Sequence, residues 1–291
     1  MCIIIGKYFE ELGWIGIKNR DRNYVPEISF KRIDNEGNEI LYFWDNITQY
    51  CEGMNSYGIS VLSASLMVRD DEKEISVRSS TPSKDGIKIK KSLEYTNIGD
   101  VVDSLIDQKL TGHTIIFDQD NMYILEGAWR KGQYKSQGFD HVLHKLNPND
   151  TIVRTNHGIE LPWAGYQHDN SKAHCMSRLS SENRKNYAEL SVESSTSPFD
   201  ILDNLTIDYT GDGQMNPTRT STQYKKMRTT SQTLIIPKNK TLYVRPIQSK
   251  LEFDFWEMND SIHQTWVEIL SNRVLYQNLK GHDFHRSSDM K

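Results

Sequence analysis

The chain opens Met1-Cys2-Ile3-Ile4-Ile5-Gly6, a β-branched run that starts immediately after a cysteine. Side chains of this kind favour extended backbone, so the run predicts a strand whose first position carries a thiol. A second extended run, Trp14 to Lys18, follows Glu10-Glu11-Leu12-Gly13, a polar turn closed by glycine. The two form a hairpin whose second strand ends at Asn19-Arg20-Asp21, beside the first. An initiator methionine is commonly trimmed ahead of a small residue. That would leave Cys2 with a free α-amine next to its own thiol, so that one residue supplies nucleophile and base.

Further extended runs are Ile40 to Trp44, Gly58 to Val68, Ile75 to Val77, His113 to Asp118 and Met122 to Glu126. Ile87-Lys88-Ile89-Lys90-Lys91 alternates apolar and basic residues and reads as a strand with a solvated charged face. Helical spacing covers Asn97 to Gln108 and about Ser177 to Leu190. A third helix starts at Ser197 as N-cap, with Pro198 and Asp200 in its first turn, and is expected to stop at Gly211-Asp212-Gly213. Gln232 to Pro237 and Thr241 to Val244 read as a hairpin, and Asp260 to Leu275 as a late helix. No repeat or linker divides the chain, so residues 1–279 are expected to form one domain and 280–291 a disordered polar tail. Strands towards both ends with helices grouped between them fit an α+β layered fold.

The 291 residues are 36% apolar and suit a core of that size. With 35 basic against 39 acidic residues and no basic stripe, a nucleic-acid partner is not favoured. No apolar run approaches the ~20 residues needed to cross a bilayer and no secretory leader is seen, so no membrane partner is expected and the expected location is cytoplasmic. Cys2, Cys51 and Cys175 are too few and too scattered for a disulfide framework.

An N-terminal cysteine becomes a working nucleophile when three parts surround it: a carboxylate to orient the amine, a cation to favour the thiolate, and donors for a tetrahedral oxyanion. Asp21 lies at the end of the neighbouring strand, where it could hold the amine. Lys18 and Arg20 alternate onto one face beside it.

Met1-Cys2 with Lys18-Asn19-Arg20-Asp21 resembles the opening of the N-terminal nucleophile (Ntn) hydrolases, specifically the linear amide C–N hydrolases: choloylglycine hydrolases, penicillin V acylases and acyl-CoA:6-aminopenicillanate acyltransferase-like C45 peptidases. Gly53-Met54-Asn55-Ser56-Tyr57-Gly58 is similar to a family segment whose asparagine donates to the oxyanion, and Thr155-Asn156-His157 to one whose asparagine lies against the substrate carbonyl. Glu126-Gly127, Ser177-Arg178, Ser197-Pro198 and the late Arg219 follow the family's order, so the resemblance spans about residues 1 to 250. It implies a four-layer αββα sandwich of two antiparallel sheets flanked by helices. Its site would comprise Cys2, Asp21, Asn55, Asn156 and Arg219, with Arg20 rather than Lys18 as the preferred thiolate cation because it keeps a guanidinium fork. Lys18, His157 and Trp163 would line the substrate. Two departures stand out: Lys18 occupies the place of the family's usual arginine, and Arg22 replaces the glutamate of the related Asn-Arg-Asp-Glu proteins.

Other residues invite blander readings. His141 and His144 have a metal-pair spacing but nothing nearby completes a set. Cys51 and Cys175 read as small buried hydrophobes. Asn55 taken alone is a turn residue, and Trp44, Trp129, Tyr24 and Tyr166 are core candidates. The expected function is cleavage of a linear non-peptide amide through a Cys2 thioester, without metal or cofactor, on a small-molecule substrate; a homo-oligomer is compatible with it. The alternatives are acyl transfer through the same intermediate and a non-enzymatic relative of the Asn-Arg-Asp-Glu type.

Overall fold

The computed structural model describes residues 2–24, 26, 28–66, 85–129, 138–164, 172–220, 227–247, 275–278 and 285–286. Its strands are β1 (Cys2–Phe9), β2 (Gly13–Arg22), β3 (Ile28–Asn35), β4 (Asn38–Asp45), β5 (Tyr50–Asn55), β6 (Ser60–Ala64), β7 (Gly112–Phe117), β8 (Met122–Trp129), β9 (Phe139–Lys145), β10 (Ile152–Arg154), β11 (Arg228–Ile236), β12 (Thr241–Pro246), β13 (Leu275–Asn278) and β14 (His285–Arg286). Its helices are α1 (Asp85–Ser92), α2 (Ile98–Asp107), α3 (Lys172–Glu193) and α4 (Pro198–Asn204). The strands form two seven-stranded antiparallel sheets. The first runs β10-β1-β2-β11-β12-β13-β14 and the second runs β3 to β9 in chain order.

Three apolar clusters define the layers. Between the sheets, Ile4, Trp14, Ile235 and Val244 meet Leu41, Phe43, Met54, Leu62, Ile115, Phe117 and Met122. Outside the first sheet, Ile3, Ile5, Ile15 and Ile17 pack on Ala188 and Val192 of α3 and on Ile201 and Leu202 of α4. Outside the second, Ile40, Cys51, Val61 and Ile116 pack on Ile89 of α1 and Val101 and Leu105 of α2. This is the expected αββα order. It also explains Ile3-Ile4-Ile5: a strand covered on both faces needs no polar alternation.

Gly6 and Gly16 lie directly opposite each other across β1 and β2. A Cβ on Gly6 would collide with the Met122 sulfur, and one on Gly16 with the Phe117 ring. The missing side chains make a notch into which the second sheet inserts.

Several expectations change. Ile87 to Lys91 lies in helix α1, not a strand: Ile89 is buried while Ile87 is 46% exposed, so the two do not share a face as strand alternation requires. The box at Ser197 is present, with Asp200 N donating to Ser197 Oγ and Ser197 N to Asp200 Oδ2, but the helix ends at Asn204, before the glycines. The segment 139–145, which holds both histidines, is an edge strand, where i and i+3 fall on opposite faces. No cluster of metal-binding side chains, and no helix long and apolar enough to cross a membrane, occurs among the described residues. The runs Ile75 to Val77 and 260–274 of the late helix lie outside the described residues, whereas Leu275, the expected end of that helix, begins β13 and pairs with Val244; the tail is described only at His285–Arg286, which pair with β13.

Candidate active site

Cys2 is the first residue of β1 and pairs with Arg20 on β2. Residues two apart on a strand share a face, so Lys18, Arg20 and Arg22 all point with Cys2 into the space between the sheets. β4 and β5 supply the opposing carboxylates. Glu52 takes the Lys18 ammonium and, at 2.8 Å, Arg20 Nη2, with all three side chains wholly buried. Thr233 Oγ1 also donates to Glu52. The Arg20 guanidinium lies 4.4 Å from the Phe43 ring centroid.

Arg22 reaches the sulfur. Its Nη1 lies 3.9 Å from Cys2 Sγ, and its Nε donates to Asp45 Oδ2 at 3.0 Å. Asp45 is itself held on every side: Tyr24 OH donates to Oδ2 at 2.7 Å, and the amides of Ile47 and Thr48 donate to Oδ1. Burial pushes the Cys2 thiol up, but Lys18, then the chain's N-terminal charge and Arg22, outweigh it against Asp21, and the thiol is lowered to about 7. Arg20, the cation preferred from the sequence, is instead engaged by Glu52. The strand alternation that placed Lys18 and Arg20 beside the thiol extends one step further to Arg22, which sequence reasoning had noted only as a departure.

Asp21 has the opposite parity and points to the outer face of the first sheet. There its Oδ2 accepts from Arg184 Nη2 of α3 at 2.5 Å, and its Oδ1 from Thr229 Oγ1 at 2.7 Å. Arg219 joins this group, with Nε 3.9 Å from Asp21 and Nη2 donating to Ser180 Oγ at 2.8 Å. Asp21 and Arg219 therefore meet each other in a buried cluster behind β2. The hydrogen-bond partner of the Cys2 nitrogen is a different residue. In this chain that nitrogen belongs to the Met1–Cys2 peptide, and it donates to Asn156 Oδ1 at 3.1 Å.

Asn156 is positioned from three sides. Its backbone N–H donates to Ser181 Oγ of α3 at 3.0 Å and its Nδ2 donates to the Ser65 carbonyl at 2.6 Å. The loop after it is pinned by Glu126, whose carboxylate accepts from the amides of Ile159, Glu160 and Leu161, each at 3.0 Å. His113 shares a hydrogen bond with the His157 carbonyl through Nε2 at 2.9 Å. Burial holds His113 down at about 4 even though Glu126 raises it. His157 is turned inward, its Nδ1 lying against Thr155 Oγ1 and Ser181 Oγ.

Asn55 is not brought to the thiol. On β5, Glu52 and Met54 face between the sheets, whereas Cys51 lies in the outer cluster, so Asn55 shares the outer face. Its Nδ2 donates to the carbonyls of Leu93 and Tyr95, and its Oδ1 accepts from the amides of Tyr57 and Ile59. All four positions on its amide are occupied, which makes Asn55 a turn residue. Trp163 packs on a small cluster of Leu66, Ala128, Leu161 and Ala164. Leu66 follows the exposed Ser65, whose carbonyl meets Asn156, so this apolar wall adjoins the thiol end of the site.

No protein-family model matches the chain, and no curated protein sequence matches it. Among solved structures it is similar to a penicillin V acylase from Agrobacterium tumefaciens, at 13% identity and TM-score 0.45, over 84% of this chain and 83% of that one. It is also similar to two variants of a conjugated bile acid hydrolase from Clostridium perfringens, each at 12% identity over 98% of this chain and 96% of theirs, with TM-scores of 0.47 and 0.42.

Proposed function

We propose that this protein is an Ntn amidohydrolase that cleaves a linear non-peptide amide through an acyl thioester on Cys2. The observation that carries this reading is the placement of one residue. Cys2 begins an interior strand with its sulfur on a guanidinium and its nitrogen on Asn156, which also holds the carbonyl of the exposed Ser65.

In the reaction, the Cys2 sulfur adds to the amide carbon and a C–S bond forms as the carbonyl becomes an oxyanion. Asn156 has a second N–H on Nδ2 beyond the one given to Ser65, and it donates to that oxyanion. The tetrahedral centre collapses, the C–N bond breaks and the amine leaves with the proton that the Cys2 thiol gave up to its own α-amine. Water then adds to the thioester, releasing the carboxylic acid and returning the sulfur. The wall of Leu66 and Trp163 holds the acyl portion. Asp21, Arg184 and Arg219 act from behind β2 by fixing the strand that carries the cations.

The test is intact-protein mass spectrometry of the full chain across a panel of N-acyl amides, with Cys2→Ala as control. An acyl adduct on Cys2, absent from the variant, is expected, and turnover retained by Cys2→Ala would overturn the reading. An added acceptor amine distinguishes hydrolysis from acyl transfer by the product formed.

A further inference from the structure

The ladder between β1 and β10 stops where Arg154 pairs with Ile4, and Asn156 lies two residues further on, at the level of Cys2. With the ladder ended, its N–H goes to a helix, donating to Ser181 Oγ of α3 at 3.0 Å. Its side chain is set by the Cys2 nitrogen on Oδ1 and the Ser65 carbonyl on Nδ2. The same turn of α3 faces the back of β2, where Arg219 donates to Ser180 Oγ and Arg184 to Asp21. One stretch of helix, Ser180 to Arg184, thus fixes both the strand that carries the site cations and the residue that meets the Cys2 nitrogen.

Ser181 Oγ has one proton to give and two lone pairs with which to accept. Three groups touch it: Asn156 N, Thr155 Oγ1 at 2.9 Å and His157 Nδ1 at 2.9 Å. The Asn156 amide can only donate. The Ser181 carbonyl can only accept, so the Thr155 hydroxyl, 3.0 Å away, places its proton there. Ser181 must then donate to Thr155 Oγ1, because two oxygens at 2.9 Å with no proton between them repel. One lone pair of Ser181 Oγ remains for His157, whose Nδ1 has to arrive with a proton of its own. Burial lowers His157 against the pull of Glu182, so the ring is neutral above its ordinary ~6.5 and that proton fixes the tautomer.

Resting on the reading of Asn156 as the oxyanion donor, we infer that Ser181 is the positioning residue that presents Asn156 to the reacting carbonyl, closed in a circuit with Thr155 and with His157 as its Nδ1–H tautomer. Protons in the circuit run one way, from His157 to Ser181 Oγ, from Ser181 Oγ to Thr155 Oγ1 and from Thr155 to the Ser181 carbonyl. The Ser181 hydroxyl is left no freedom to turn, so the Asn156 backbone is held in one orientation. Its side chain then meets the developing oxyanion without reorganising. His157, expected at the substrate, is part of this support instead.

The experiment compares two reactions of the Cys2 sulfur in the full chain. Acylation by para-nitrophenyl acetate passes through an oxyanion, and is counted as the nitrophenolate released by the parent less that released by Cys2→Ala. Alkylation by iodoacetamide, read at the Cys2 peptide by mass spectrometry, forms no oxyanion. Ser181→Ala is expected to slow acylation about tenfold while alkylation stays within about twofold, and Ser181→Thr to recover part of the loss. Because Ser181 acts through Asn156, the double variant with Asn156→Ala should acylate no more slowly than Asn156→Ala alone. Unchanged acylation in Ser181→Ala overturns the inference. So does an equal fall in both reactions, which would make Ser181 a support of the fold only. The tautomer is read on the unsubstituted chain, labelled with nitrogen-15, by long-range proton–nitrogen correlation at about pH 8. His157 should carry its proton on Nδ1; a proton on Nε2 breaks the circuit and overturns the inference even where a variant does not fold. If the ester acylates Cys2 as expected but no N-acyl amide is cleaved, Ser181 keeps its role and the amide reading alone falls. If the ester releases no more nitrophenolate from the parent than from Cys2→Ala, the nucleophile reading and this inference fall together.

Discussion

Arg184 on α3 donates to the Asp21 carboxylate on β2 at 2.5 Å, and neither side chain has any exposed surface. The pair joins a helix to the strand that carries all three site cations. Arg184 also donates to the carbonyls of Asn216 and Pro217, so it anchors the approach to Arg219. Arg184→Ala leaves the buried carboxylate with Thr229 and the more distant Arg219, and should cost about 3–5 kcal/mol of stability. Denaturant unfolding measures this directly. A loss below about 1 kcal/mol would mean that the pair does not hold the helix.

The two asparagines should separate cleanly. Asn55→Ala removes the partners of two carbonyls and two amides in a turn, so stability should fall by about 1–3 kcal/mol while the turnover number of the folded fraction stays within about threefold. Asn156→Ala should lower turnover by a factor on the order of 10² to 10³, as expected for loss of an oxyanion donor. Steady-state kinetics beside unfolding curves decide between them. A large kinetic loss in a well-folded Asn55→Ala protein would restore Asn55 to the chemistry.

Glu126→Ala takes the acceptors from three consecutive amides, Ile159 to Leu161, just beyond Asn156. Hydrogen exchange at those amides should rise by at least tenfold, with protection in β1 and β2 unchanged. Glu126→Gln keeps one acceptor oxygen and should fall between the two. Unchanged protection at residues 159–161 would show that the loop is held by other means.

Two acid limbs are expected, with opposite origins. Turnover should rise with pH through about 7 as the sulfur ionises. Stability should behave differently at lower pH because His113 is held at about 4, below its ordinary ~6.5. Between those values the unfolded chain binds the proton and the folded chain does not, so stability increases with pH across the window. The His113 contribution is complete above ~6.5 and is lost as pH falls through about 4. Replacing His113 by Gln should flatten this limb in urea titrations while leaving the turnover limb in place.

Local features were legible in the sequence and distant partnerships were not. The first hairpin, the thiol at its start and the Ser197 box each depend on a few neighbouring residues. Ile87 to Lys91 misled because five residues can satisfy an alternating pattern and a helical one at once; only Gly86, Ile89 and Ser92, buried at helical spacing, resolve it. β3 and β9 have no counterpart among the extended runs read from the sequence, because both are rich in charged and polar residues that mask the strand pattern. At the site, Cys2 and Asn156 are brought together by pairing of β1 with β10. Asp45 and Glu52 could not be assigned in advance, since their partners come from the other sheet. Arg22 could have been found: its position follows from the same alternation that singled out Lys18 and Arg20.

The notch at Gly6 and Gly16 bears on which substitutions the sheet interface accepts. A Cβ at either glycine would have to displace Met122 or Phe117 across the sheet interface. Those four positions form a lock on sideways sliding between the sheets, and a substitution on one side calls for a compensating one on the other. An alanine at Gly6 or Gly16 would therefore call for a smaller residue at Met122 or Phe117, its partner across the interface.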